Sequence, residues 1–285
     1  MQRILFLLFL VFALSPALAQ APRDTLEKIR NTGSITLGFR PDAVPFSFVG
    51  QNEKPSGFTV DVCERVVAGL ARSLRLPALK AVWLPVTAQS RIDQVYSGAI
   101  DLECGTTTVT LGRQARVDFS LITFLDGGAF LARAGVVDAP RTLRELPPGP
   151  IGVSAGTTTE KTLRRLIAEN RMPNELVPVA SHVEGMNRLL DGKFAMYAAD
   201  RTVLIGLAMN AGRQAPLQLL DIMFSYEPYA LVMRRDADFR LAVNRVLAEG
   251  FRKGEIEAIY RKWFSQFGEP QDLLKALYVI QAFQE

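Results

Sequence analysis

Strand-like and helix-like runs alternate through most of this 285-residue chain, and that alternation limits its fold more than any other feature. Residues 34–39 (SITLGF) read as a strand, residues 58–74 carry helical apolar spacing, and residues 79–86 read as a strand again. A short helix over 90–96 leads to a strand ending at Glu103. A second set begins after Gly127-Gly128, with strands at 150–154, 177–180 and 195–199 and helices at 158–170 and 182–190. A helix over 202–210 and a strand near 229–233 complete it. Residues 239–264 are strongly helical, with Val243, Val246, Leu247, Ile256, Ile259, Tyr260 and Trp263 at helical spacing, and a further helix covers 273–283. The pattern predicts α/β domains on mostly parallel sheets.

At roughly 150 residues per domain, the length predicts about two compact units. Turn-rich punctuation at Asp126-Gly127-Gly128 and at Ser225-Tyr226-Glu227-Pro228 marks the candidate boundaries. The middle third is then one lobe (126–227), and the two ends together form the other (20–125 with 228–285). The net charge of +4 is too mild and too scattered for a nucleic-acid binder. Of the 33 basic residues 25 are arginine, so any single arginine, read alone, is ordinary solvated surface.

Residues 1–19 (MQRILFLLFLVFALSPALA) have one basic residue, an apolar run and a small-x-small end, the pattern of a secretory signal peptide cleaved before Gln20. The apolar run is well short of the ~20 residues a spanning helix needs. No Cys follows the cleavage site, so no lipid anchor is expected. Export permits disulfides. Cys63 lies on a helical stripe with Val67, Leu70 and Leu74, and Cys104 follows a short strand-like run. They read as one bridge pinning that helix to that strand, or as two buried thiols packing as small hydrophobes. One His and two distant Cys give no metal-ligand cluster. Gly152-Val153-Ser154-Ala155-Gly156 matches the G-x-S-x-G turn of serine hydrolases. His182, however, follows so soon that an intervening acid has little room, and a turn of small residues at a helix start is the simpler reading. No phosphate loop or G-x-G-x-x-G is present, and no cofactor is expected.

Several segments, in order, resemble the periplasmic solute-binding proteins for polar amino acids, in particular the glutamate/aspartate-binding branch. They are TLEKIRNTGSITLGFR with PDAVPFSF, GFTVDVC, TAQSRIDQVYSGAIDLECGTTT with GRQARVDFS, SAGTTTEKTL, DGKFAMYAAD, and DADFRLAVNRVLAEGFRKGEIEAIYRKWF. The resemblance spans Asp24 to about Phe267. It implies an α/β, two-lobed periplasmic-binding-protein fold of type II, with the ligand in the cleft between lobes. It also implies a monomer in the periplasm that hands its solute to an inner-membrane ABC transporter permease.

The resemblance further implies a site. Arg113 in GRQARVDFS grips the ligand α-carboxylate, its guanidinium fork suiting bidentate pairing. The run Thr106 to Thr108, with Thr106 and Thr108 as contacts, and the turn Thr157-Thr158 supply hydroxyl and amide donors to the ligand backbone. Asp200 pairs the α-ammonium, although by position alone it reads as a helix N-cap, and it can do both. Arg40 stands where relatives that bind basic amino acids tend to carry an acid. Arg40, Arg91 and His182, cationic or potentially cationic, together argue for an acidic ligand side chain. Ala88 replaces a hydroxyl that the branch often has, which leaves asparagine or glutamine open as ligands. Phe46 can wall the cleft, or be core. No covalent chemistry is expected. The rival reading is a cyclohexadienyl dehydratase of the same fold, acting on prephenate or arogenate; prephenate also carries two carboxylates but lacks an ammonium for Asp200.

Overall fold

The computed structural model describes residues 24–135, 140–212 and 216–284, so the signal-peptide expectation lies outside the described residues. In chain order the helices are α1 (Thr25–Thr32), α2 (Phe58–Ser73), α3 (Arg91–Ser97), α4 (Leu111–Gln114), α5 (Thr158–Glu169), α6 (His182–Leu190), α7 (Arg201–Ala211), α8 (Ala237–Arg252), α9 (Glu255–Phe264) and α10 (Asp272–Ile280). The strands are β1 (Ser34–Phe39), β2 (Asp42–Ala43), β3 (Ser47–Val49), β4 (Pro55–Ser56), β5 (Lys80–Pro85), β6 (Leu102–Glu103), β7 (Asp118–Asp126), β8 (Gly128–Arg133), β9 (Ile151–Ser154), β10 (Leu176–Val179), β11 (Met196–Asp200), β12 (Leu217–Leu219) and β13 (Glu227–Met233).

Two five-stranded sheets organise two lobes. The first runs β5-β1-β6-β13-β7 and the second β10-β9-β11-β8-β12, while β2, β3 and β4 form a small separate sheet. The expectation of mostly parallel sheets holds for four strands of five in each sheet, with one strand reversed. In the first sheet β13 runs antiparallel to both neighbours, and in the second β8 does. The cause is that β7 leads straight through Gly127 into β8 on the other sheet, while β13 returns beside β7. Asp126 and Glu227 lie in register at the point where the chain crosses.

Local signals explain the helices. Asp24, Thr157, Ser181 and Asp236 each accept an amide three residues on, capping α1, α5, α6 and α8. The helix expected over 239–264 is two helices, because Gly254 adopts φ +67° between them, a conformation costly for residues with a Cβ. On α2, Phe58, Val62, Cys63, Val66 and Leu70 face the core. Cys63 is bridged to Cys104, with Cα atoms 6.2 Å apart, so the helix is pinned to the end of β6. Phe46 is core rather than cleft wall: it is fully buried, with Phe124 and Tyr229 rings 4.8 Å and 5.3 Å away. The outer edge of β7 is covered by α10. Gln281 just beyond that helix pairs its side-chain amide with both the N–H and the C=O of Ile122, each at 2.8 Å, and Tyr278 donates to the Thr123 carbonyl. No described helix is long and apolar enough to cross a membrane.

Candidate ligand-binding cleft

The lobes meet around a tight cavity of about 10 Å³, roughly the room of one water molecule. Arg40, Arg91 and Thr106 line it from the first lobe, and Ser154, Thr157, Thr158, Thr159, His182 and Asp200 from the second. Thr108 and Arg113 lie just behind that lining. The Arg113 guanidinium donates to the Thr108 carbonyl at 2.8 Å, and Thr108 Oγ1 is 3.2 Å from Thr158 Oγ1. The structure therefore draws all nine residues expected from the sequence to one place, seven on the wall and two immediately behind it.

Each position follows from a strand or helix end. Arg40 directly follows β1, Arg91 opens α3, Ser154 ends β9, His182 opens α6 and Asp200 ends β11. Thr157 is committed to structure: its hydroxyl caps α5 at Glu160 N and donates to the Ser154 carbonyl at 2.7 Å. Its position still aims the N-terminus of α5, with the following Thr158 and Thr159, at the cavity. Gly206 on α7 lets the lobes approach, because a Cβ there would lie 2.7 Å from the Val44 carbonyl oxygen.

The electrostatics are those of a buried anion receptor. Arg40 and Arg91 are each 2% exposed. Arg40 donates to Asp42 Oδ1 at 2.8 Å. Arg91 donates to the Thr106 carbonyl at 2.9 Å, with Glu103 Oε1 3.9 Å away. Burial lowers Arg91 to about 9, against the opposing pull of Glu103, so it stays charged at neutral pH. Arg113 is lowered by burial too, and Glu103, Glu227 and Asp200 oppose that shift. The Nε–H groups of Arg40 and Arg91 and the hydroxyl of Ser154 are buried with no hydrogen-bond partner in the protein. Buried donors are normally paired, so these three are available to a ligand.

His182 needs a correction. Burial lowers its pKa to about 4, with Arg40 and Arg91 adding to the effect and Asp42 opposing it, so it is neutral rather than cationic at physiological pH. Its Nδ1 lies 2.8 Å from the Tyr197 hydroxyl. If that hydroxyl donates, Nε2 carries the proton, and His182 serves as a neutral donor. Its backbone N–H donates to Asp42 Oδ2 at 2.7 Å, so Asp42 joins Arg40 of one lobe to α6 of the other. Burial alone would raise Asp42, but Arg40 and the His182 contact hold it below its ordinary value.

Asp200 occupies the N-cap position of α7, yet its side chain makes no cap bond. Asp126 substitutes, accepting Gly127 N at 2.9 Å and Thr202 N at 3.2 Å. Asp200 is thereby freed toward the cavity, where it accepts from Thr159 Oγ1 at 3.1 Å and from the Tyr229 hydroxyl. Burial, then the neighbouring Glu227, raises Asp200 to about 6. Burial, then Asp200, raises Asp126 to about 8.

Sequence reasoning missed Asp42, Glu103, Ser154, Thr159 and Glu227. Glu103 lay in the quoted LECGTTT run, and Ser154 in a motif weighed only as a nucleophile turn. Glu227 lay in a segment read only as a boundary. Among the described residues, no group of His, Cys, Asp or Glu could hold a metal ion.

Comparison with known proteins gives the family and the fold. The family model for bacterial extracellular solute-binding proteins, family 3, matches residues 35–266. An L-glutamate/L-aspartate-binding protein of Pseudomonas aeruginosa is 33% identical, the match covering 91% of this chain and 86% of the relative. A glutamate/aspartate import solute-binding protein of Salmonella typhimurium is 30% identical, covering 93% of this chain and 89% of the relative. Among solved structures, an ancestral arginine-binding protein bound to glutamine superposes with a TM-score of 0.72 at 25% identity, covering 81% of this chain and 98% of that one. The fold is the two-lobed, type II arrangement of periplasmic amino-acid-binding proteins.

Proposed function

The chain belongs to the bacterial extracellular solute-binding proteins of family 3, and from that premise we propose that it captures an acidic amino acid, glutamate or aspartate, in the periplasm for import by an ABC transporter. The observation that carries the reading is the pair of buried, charged arginines, Arg40 and Arg91, whose Nε–H groups have no partner in the protein. In this reading they meet the distal carboxylate, assisted by neutral His182 and the Ser154 hydroxyl. Arg113 and the N-terminus of α5 hold the α-carboxylate, and Asp200 takes the ammonium.

The ligand touches both lobes only when they are closed, so it shifts the population toward the closed form. The importer then reads that form. The proposed lobes are residues 20–125 with 228–285, and residues 126–227; the proposed working unit is a monomer. The relatives named above are binding proteins and not enzymes. Among the described residues the Ser154 hydroxyl has no hydrogen-bond partner that could act as its base, and His182 Nδ1 is engaged by Tyr197.

The test is a thermal-shift screen of residues 20–285 against single amino acids and prephenate. A ligand at 100 times its dissociation constant adds about 2.7 kcal/mol, a shift of several degrees at this size. A response to glutamate or aspartate is expected; a response to prephenate alone would overturn the reading.

A further inference from the structure

The hydroxyls of Thr108 and Thr158 share one partner. Glu227, the first residue of β13, is 2% exposed. Its Oε2 accepts from Thr108 Oγ1 at 2.6 Å and from Thr158 Oγ1 at 2.7 Å. Its Oε1 accepts from Ser225 Oγ at 2.6 Å. Thr108 belongs to the first lobe, Thr158 begins α5 of the second, and Glu227 stands on the crossing strand between them.

A hydroxyl has one hydrogen and two lone pairs, and a carboxylate only accepts. Once Thr108 and Thr158 give their hydrogens to Glu227, each oxygen has only lone pairs left for a third group. The 3.2 Å approach of the two oxygens is then a meeting of acceptors held together by the carboxylate. The same polarity recurs at Asp200, whose oxygens accept from Thr159 and Tyr229. The hydroxyls of Thr108, Thr158 and Thr159 therefore cannot serve a carboxylate, which needs donors. They suit a group that brings its own hydrogens.

We propose that Glu227 is a specificity-determining, positioning residue: by taking the hydroxyl hydrogens of Thr108 and Thr158, it makes this side of the cleft a receptor for an ammonium group. The inference rests on the reading that the cleft takes an amino acid, and it deepens that reading. It leaves the α-carboxylate to Arg113 and the α5 amides rather than to the threonine hydroxyls. The negative charge of Glu227 acts in the same direction, since it stands near enough to raise the Asp200 carboxyl.

In E227Q the negative charge is lost, and the side chain presents either its NH2, which occupies the threonine lone pairs, or its oxygen, with the NH2 turned onto Ser225 Oγ. Titration calorimetry with glutamate and with 2-hydroxyglutarate, which replaces the ammonium by a hydroxyl, reads the consequence. Glutamate affinity is expected to fall at least about tenfold, and that for 2-hydroxyglutarate to change less than about threefold. A merely structural role would weaken both in proportion; that result, or unchanged glutamate binding, would overturn the assignment. Thr108→Val removes the lone pairs and leaves Glu227 charged, so it decides the matter if E227Q unfolds or 2-hydroxyglutarate binds too weakly to measure. It is expected to weaken glutamate several-fold, and wild-type affinity in that variant would refute the proposal. A wild-type protein that binds no amino acid would instead defeat the functional reading on which the inference stands.

Discussion

On the first-lobe wall of the cleft, each arginine is fixed by groups close to it in its own lobe: Arg40 by Asp42, Arg91 by the Thr106 carbonyl and Glu103, Arg113 by the Thr108 carbonyl. On the facing wall the groups are neutral or acidic: Ser154, the head of α5, neutral His182 and Asp200. The cations thus find their counter-charges on their own wall, and the facing wall supplies an acceptor for the opposite end of a zwitterion. Buried charges are costly unless paired, and the two walls meet that cost differently. The first wall neutralises its arginines with carboxylates and carbonyls of its own. The second buries Asp200 beside Glu227, so that its proton affinity is raised and a ligand cation is welcome.

The contrast can be broken first on the cationic side. Arg113→Ala removes the grip common to every amino acid. It is expected to cost about 2–5 kcal/mol, roughly 30-fold or more in affinity, for acidic and amide ligands alike. Retained tight binding in a calorimetric titration would remove Arg113 from the site.

The acidic side is sharpened by pH. With Asp200 at about 6, its ionised form, which the ammonium needs, is lost as pH falls through that value. Glutamate affinity is therefore expected to drop between pH 7.5 and pH 5. His182, at about 4, stays neutral across that window and contributes nothing to the slope. Asp200→Asn should bind more weakly at pH 7.5 and show a flat profile; an unchanged slope would place the titrating group elsewhere. Without ligand the linkage runs the other way for stability. The folded state raises Asp200 and Asp126, so stability is fullest below the ordinary carboxylate value and is lost as pH rises through about 6 and about 8. Thermal unfolding of the ligand-free protein from pH 4 to pH 8 checks that sign, and Asp126→Asn should flatten the upper part of the curve.

How far the sequence led depended on the kind of signal. Period-2 and helical spacing located β1, α2, α6 and the second lobe's alternating elements within a residue or two of their ends. The strand near 229–233 was located, as β13, but its reversed direction was not, and β8, nearly all of it buried, lacks the alternation that marks a strand. The strand β7 was missed because its burial alternates in pairs, both of its faces being partly covered. At the site, the arginines were found through their motifs, but their counter-ions were not. Glu227 lies far from Thr108 and Thr158 in the sequence, and only the folded sheet shows which hydroxyls it faces, whereas Asp42 and Glu103 stand near Arg40 and Arg91 in the chain but carry no mark of pairing. Asp200 illustrates the limit most clearly. Its position reads as a helix cap, and it is the distant Asp126 that frees it for the cleft.

The central claim is that the first wall is built for a second carboxylate, and Arg40 tests it most directly. The measurement is calorimetric titration of the wild type and of Arg40→Ala with glutamate and with glutamine. A much larger loss of affinity for glutamate than for glutamine is predicted, whereas equal losses would contradict the account and make Arg40 a structural residue or a partner of the ligand backbone.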